Sequence, residues 1–235
     1  YCMPAPFDVI ALDADDTLWH NERLFHATQS QFREMLSGYH SPEWIDARLL
    51  ATETQNLAHY GYGIKGFVLS MIETAIELTE GRITGEEIGR LLEMGRAMLE
   101  DPTELLPGVR ETVEALAGTY RLVLLTKGDL FDQEMKLARS GLGELFSAVE
   151  VVSEKDARTY AAVMKRQGVA PERFLMVGNS LRSDVLPVLE AGGAAVYIPY
   201  ETTWAHETVD DAALEGRQFA QLRALLELPA WLETL

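Results

Sequence analysis

Cysteine is nearly absent from the chain: Cys2 is the only one in 235 residues. That excludes an internal disulfide framework and fits a reducing compartment. Long apolar runs are also missing. None approaches the ~18 residues that cross a bilayer, and the opening YCMPAPFDVIALD lacks the basic region and apolar stretch of a signal peptide, so a cytoplasmic location is expected. Basic residues are scarce, with 20 Lys and Arg against 37 Asp and Glu, a formal net charge of -17 and a pI near 4.6. Such a chain repels nucleic acid and anionic membrane, and no local basic patch offsets this, so neither is an expected partner. A phosphorylated ligand would be repelled too unless its site is made positive locally by a metal, lysines or backbone N–H groups. Internal repeats and low-complexity segments are absent, and no feature specifies an oligomeric state.

What is present is the composition of a folded protein, 47% apolar and 24% charged. The length exceeds the common domain size of ~100–150 residues, which suggests one large domain or a domain carrying an insertion. Phe7 to Leu12 reads as a buried strand ending at a cluster of aspartates. From about Trp19 to Asp101 the apolar spacing is helical, with breaks at Gly38, Gly61 to Gly66 and Gly81 to Thr84. Beyond Pro107 helices and strands alternate. Helices are expected at Val109–Ala117, Leu130–Ser140, Ala157–Gln167 and Asp184–Ala191; strands at Leu122–Leu125, Val149–Val152, Phe174–Val177 and Ala194–Ile198. Repeated βα units imply an α/β fold, a Rossmann-like parallel sheet with helices on both faces, here with an inserted all-helical segment. Ligands in such sheets sit beyond the carboxyl ends of the strands.

The residues at those ends carry chemistry. After the first strand comes Asp13-Ala14-Asp15-Asp16-Thr17. Aspartates there often only cap turns, but one carboxylate can attack phosphorus while a second protonates the leaving oxygen. After the second comes Thr126-Lys127-Gly128. Thr126 is a helix-cap type of residue that can also donate to a phosphate oxygen, and Lys127 stands among the phosphate-binding candidates although a solvated lysine is its ordinary reading. Lys155, in Ser153-Glu154-Lys155-Asp156, opposes the dipole of the helix it precedes. That placement suggests a charge holding a carboxylate and a phosphoryl group together. In Gly178-Asn179-Ser180-Leu181-Arg182-Ser183-Asp184, the Asn179 and Asp184 oxygens suit Mg2+.

The ordered set, Asp-x-Asp-x-Thr, then Thr, then Lys, then Gly-Asn-x4-Asp, resembles the haloacid dehalogenase superfamily, in particular its phosphatase branch with a helical cap. The resemblance spans essentially the whole chain. It implies a core of residues 1–18 and 103–235 and a cap of residues 19–102. It further implies Asp13 as nucleophile, Asp15 as general acid and base with its carbonyl on the metal, Thr126 and Lys155 on the phosphoryl group, and Mg2+ held by Asp13, Asp15, Asn179 and Asp184. The family usually has Asp where this chain has Asn179. The amide keeps an oxygen ligand but removes a charge, so weaker Mg2+ binding is expected.

The implied activity is Mg2+-dependent hydrolysis of a small phosphate monoester. A phosphomutase, a 2-haloacid dehalogenase of the same fold and a non-catalytic binding module are the alternatives. Halide leaves without a proton, so Asp15 and Asp184 favour phosphate. Substrate selection in capped members lies with the cap, where Tyr60-Gly61-Tyr62-Gly63-Ile64-Lys65-Gly66 reads equally as a substrate-covering loop or an ordinary connection. Trp19, His20 and Asn21 are expected at the entrance or hinge. His20 has no second histidine at ligand spacing, and His206 carries no assigned role.

Overall fold

The computed structural model describes residues 6–235, so Cys2 lies outside it. Six parallel strands form one sheet in the order β3-β2-β1-β4-β5-β6: β1 (Val9–Leu12), β2 (Arg121–Lys127), β3 (Ala148–Val152), β4 (Phe174–Gly178), β5 (Ala194–Tyr197) and β6 (Ala220–Gln221). All four residues of β1 are buried, as its central place requires. Alternation along the strand divides them between two cores. Ile10 and Leu12 pack with Val113 and Leu116 of α5 (Val109–Ala117), whereas Val9 and Ala11 pack with Tyr160 and Val163 of α7 (Ala157–Gln167). The sheet is therefore covered on both faces. The chain order turns outward on either side of β1, whose neighbours are β2 and β4, and a crevice opens at such a switch point.

The chain separates into two compact units. One holds the residues up to His20 with Thr103–Lys127 and Gln133–Leu235; the other is Asn21–Pro102 with Gly128–Asp132. Leu18 to His20 stay with the sheet because they pair with the returning chain. Leu106 N–H donates to the Leu18 carbonyl at 2.9 Å and His20 N–H to the Glu104 carbonyl at 3.0 Å.

The second unit contains α1 (Glu22–Leu36), α2 (Pro42–Tyr60), α3 (Ile64–Leu78) and α4 (Gly85–Glu100). Their apolar faces bury Phe32, Leu49, Phe67, Met71 and Leu91 in one core. Starts are set by local chemistry: Ser41 and Pro42 open α2, and Thr84 and Glu87 close a capping box on α4. The break expected over Gly61 to Gly66 is shorter in the structure. Gly63, at φ 114°, makes the turn, and Lys65 and Gly66 are already helical. Helix α2 ends at Tyr60 and α3 begins at Ile64, with Lys65 2.9 Å from Asp129 and over the Phe131 ring.

Two other differences bear on the site. Strand β2 runs on to Lys127, so Thr126 and Lys127 lie on the strand and not after it. The helix expected at Asp184–Ala191 is replaced by a π-helical turn over Leu181–Val185 and a short α8 (Leu186–Glu190). Val185 N–H reaches the Ser180 carbonyl at 3.2 Å, and Pro187, lacking an N–H, resets the helix in its first turn.

Candidate active site

Register brings the strand ends together. Leu12 is level with Leu124 and Val177, and Lys127 with Val152, so the segments after β1, β3 and β4 and the end of β2 share one edge. Asp13 extends the ladder through its N–H to the Val177 carbonyl at 2.9 Å. Its carboxylate then points at Lys155, whose Nζ lies 2.5 Å from Asp13 Oδ1 and 2.6 Å from Asp184 Oδ1, with only 2% of the lysine side chain exposed. Burial alone would strip the ammonium of its proton, but the two carboxylates outweigh it and hold the Lys155 pKa above the usual lysine range. Burial and the facing Asp184 push Asp13 up to about 7, against the pull of Lys155. Two carboxylates around one ammonium leave a net negative charge, which suits a further cation.

Asp184 is fixed at both oxygens, because Ser180 N–H donates to Oδ2 at 2.9 Å. A Cβ at position 178 would lie 2.2 Å from that same oxygen, so glycine is required there for Asp184 to close on the strand end. Thr17 Oγ1 donates to Asp13 Oδ2 at 3.2 Å and lies 3.4 Å from Asn179 Oδ1, which places the Asn179 oxygen in the same cluster. Among the described residues no group of three or more His, Cys, Asp and Glu side chains is arranged to hold a metal ion. A metal here would draw on the Asp13 and Asp184 carboxylates plus neutral oxygens, the Asn179 amide and a backbone carbonyl. Such a hard-oxygen set fits Mg2+, which keeps several waters.

Asp15 has partners of its own. Trp19 Nε1 donates to its Oδ1 at 2.8 Å, Gln133 Nε2 to its Oδ2 at 2.8 Å, and Lys136 Nζ lies 3.1 Å from Oδ1. The loop that aims it is a tight turn closed by Asp16 N–H on the Trp19 carbonyl at 2.8 Å, with Asp16 at φ 60°. Trp19 is fully buried, so it backs the site and does not line an entrance. His20 Nδ1 shares a 2.6 Å hydrogen bond with Tyr200 Oη.

Lys127 is not solvated, contrary to the ordinary expectation. Its Nζ lies 2.6 Å from Glu207 Oε1 and 2.8 Å from Ser183 Oγ. Glu207 Oε2 also accepts from Ser180 and Ser183, each at 2.5 Å, so one carboxylate ties the end of β2 to the turn that carries Asp184. Burial would raise the Glu207 pKa, but Lys127 and the hydroxyl donors prevail and bring it to about 2. Thr126 is buried, its hydroxyl donating to the Lys127 carbonyl at 3.2 Å. His206 accepts from Arg182 through its carbonyl and meets Trp204 ring to ring at a tilt of 43°.

Three residues in this arrangement carry little sign in the sequence. Gln133 and Lys136 sit three apart on α6 (Leu130–Ser140), which reads as an ordinary amphipathic helix. Glu207 lies in a short 3-10 turn far from any strand end. The spacing of Gln133 and Lys136 on one helix face was the only available cue.

Comparison with known proteins bears on the family and the fold. The family model for haloacid dehalogenase-like hydrolases matches residues 7–192. A crystal structure of a haloacid dehalogenase-like hydrolase from Xanthomonas campestris superimposes with a TM-score of 0.87 at 45% identity, covering 97% of this chain and 91% of that one. A glyceraldehyde 3-phosphate phosphatase of Methanothermobacter thermautotrophicus is 36% identical over 91 residues, 37% of this chain and 40% of the relative. The pyrimidine 5'-nucleotidase YjjG of Escherichia coli is 25% identical over 137 residues, 53% of this chain and 61% of the relative. The matches thus span only 40% and 61% of these curated relatives' lengths. From the family match, the fold and the near full-length structural likeness together, the chain belongs to the haloacid dehalogenase-like hydrolases.

Proposed function

We propose that this hydrolase cleaves small phosphate monoesters, with Mg2+ as cofactor and a phosphoaspartyl intermediate on Asp13. The observation that carries the reading is the division of labour between two aspartates two residues apart. Asp13 is buried against Lys155, beside Asp184. Asp15 stands outside that triad among hydrogen-bond donors of its own. A nucleophile must be free of its proton, and an acid must be able to lose and regain one, so the two need separate surroundings.

In the proposed sequence an Asp13 oxygen attacks phosphorus in line, the bond to the leaving oxygen breaks, and Asp15 gives that oxygen its proton. Water then attacks the phosphorus of the aspartyl phosphate, Asp15 takes the water proton, and phosphate leaves with Asp13 restored. Lys155 holds the nucleophile against the anionic phosphoryl group, and Thr126 binds a phosphoryl oxygen. Lys127 has its ammonium engaged by Glu207, so it meets phosphate only by exchanging that partner. Bound among Asp13, Asn179, Asp184 and the Asp15 carbonyl, Mg2+ would supply positive charge against the phosphoryl oxygens. The helical unit acts as the cap that selects substrate.

A dehalogenase would need no proton donor at Asp15, because halide leaves without a proton. The test is phosphate release from glyceraldehyde 3-phosphate, phosphoglycolate, pyrimidine 5'-nucleotides and an aryl phosphate, with Mg2+ or EDTA, for wild type and Asp13→Asn. Metal-dependent release that disappears in Asp13→Asn is expected; no release from any ester by wild type would sink the reading. Asn179→Asp should lower the Mg2+ concentration for half-maximal rate, and an unchanged or higher value would remove Asn179 from the metal's surroundings.

A further inference from the structure

We propose that Gln133 and Lys136 of α6 are positioning residues that hold Asp15 in the one rotamer from which it can pass a proton to the leaving oxygen; the proposal rests on the phosphatase reading of Asp15. The Asp15 side chain is 25% exposed, so burial alone does not fix it. What fixes it is a ring of three donors. Trp19 comes from its own loop, whereas Gln133 Nε2 at 2.8 Å and Lys136 Nζ at 3.1 Å come from one face of a helix more than 100 positions away in the chain.

Gln133 is held for this purpose. Only 2% of it is exposed, and Nε2 also reaches the Lys127 carbonyl at 3.3 Å, which fixes the plane of the amide. Its Oε1 is buried and has no hydrogen-bond partner among the described residues. An orphaned buried acceptor costs about 1–3 kcal/mol, so packing alone gives no reason for an amide here. Turning the amide over would set its oxygen against the Asp15 carboxylate and lose both donated bonds. The arrangement therefore gives up stability to keep a donor on Asp15, as a site does when geometry matters more than packing. Lys136 adds charge on the other carboxylate oxygen, Oδ1 of Asp15, and thus acts on the proton carrier.

The experiment separates positioning of the acid from general damage by varying the leaving group. A phenolate with strong electron withdrawal departs with little help from an acid, whereas an alkoxide needs the proton. We would measure kcat/KM, which reports transfer to Asp13, on 4-nitrophenyl phosphate and on an alkyl phosphate with Mg2+, for wild type, Gln133→Met, Lys136→Met and Lys136→Arg. Both Met variants should lose about 10- to 100-fold on the alkyl ester and under about 3-fold on the aryl ester, while Lys136→Arg recovers part of the loss. An equal loss on both esters, or no loss on either, would overturn the proposal while leaving the phosphatase reading intact. Absence of turnover by wild type would overturn both. Should Gln133→Met not fold, the Lys136 pair decides the question alone.

Discussion

Among the described residues the most buried ion pairs lie in the sheet unit, and those of the helical unit are more exposed. In the helical unit Arg48 and Glu77 meet at 2.7 Å with 33% and 49% of their side chains exposed, and Lys65 and Asp129 pair similarly at the surface. In the sheet unit Lys155 is shut between Asp13 and Asp184, and Lys127 and Glu207 meet at 2.6 Å with 12% and 13% exposed. Exposed pairs are screened and each charge keeps its water, so losing one costs little. Buried charges have only each other, and removing one leaves the rest stranded. The sheet unit thus gathers its most buried ion pairs at one edge of the sheet, whereas the ion pairs of the helical unit keep more of their water.

The most severe way to break this contrast is to remove the buried ammonium. Lys155→Met leaves Asp13 and Asp184 facing each other and should lower stability by about 3–5 kcal/mol and abolish measurable phosphatase activity, read by denaturant unfolding and phosphate release on the folded fraction. Gly178→Ala comes next. Its new Cβ, 2.2 Å from Asp184 Oδ2, forces the carboxylate off Lys155 and the Ser180 N–H. A cost of about 2–3 kcal/mol and a roughly 100-fold loss of rate are expected, and a crystal structure of the variant should show Asp184 displaced.

Glu207→Gln sharpens the comparison through pH. The Glu207 pKa is about 2 in the folded protein against an ordinary value of 4.5, so its ionised form adds stability that is fully present above about pH 5 and lost as pH falls from there toward 2. Wild type should exceed the variant by about 2 kcal/mol at pH 7, and unfolding curves at pH 7, 4 and 3 should show the gap closing with acid. A gap that widened in acid would contradict the assignment. The smallest effect belongs to the helical unit: Arg48→Ala should leave both the thermal midpoint and the rate within the scatter of wild type.

The elements legible in the sequence are those whose local pattern agrees with their tertiary role. Helices Val109–Ala117, Leu130–Ser140 and Ala157–Gln167 fall where apolar spacing places them, because each packs a single stripe on the sheet. The π turn at Leu181–Val185 was not legible, since its one-residue surplus is set by Ser180, Asp184 and Pro187 acting together and leaves apolar periodicity unchanged. Asp13, Lys155 and Asp184 could be singled out because residues after strands in a parallel sheet converge by topology. Gln133, Lys136 and Glu207 could not, because their partners are distant in sequence and a polar residue on a helix or turn reads by default as solvated.

The pairing of Leu18 and His20 with Glu104 and Leu106 has a consequence for how the gene can tolerate change. The departing and returning chains are already hydrogen-bonded to each other inside the sheet unit, so whatever lies between them starts and finishes at one point. Loop-closure entropy grows only slowly with length, by about 0.6 kcal/mol per doubling, and little of it is felt by a junction that is itself a fixed two-strand ribbon. The segment from Asn21 to Pro102 thereby leaves and rejoins the sheet unit at one place. An exchange at this port leaves the register of β1 to its own ladders with β2 and β4, but it takes away the partners of Gly128–Asp132, which belong to the same compact unit as the insert.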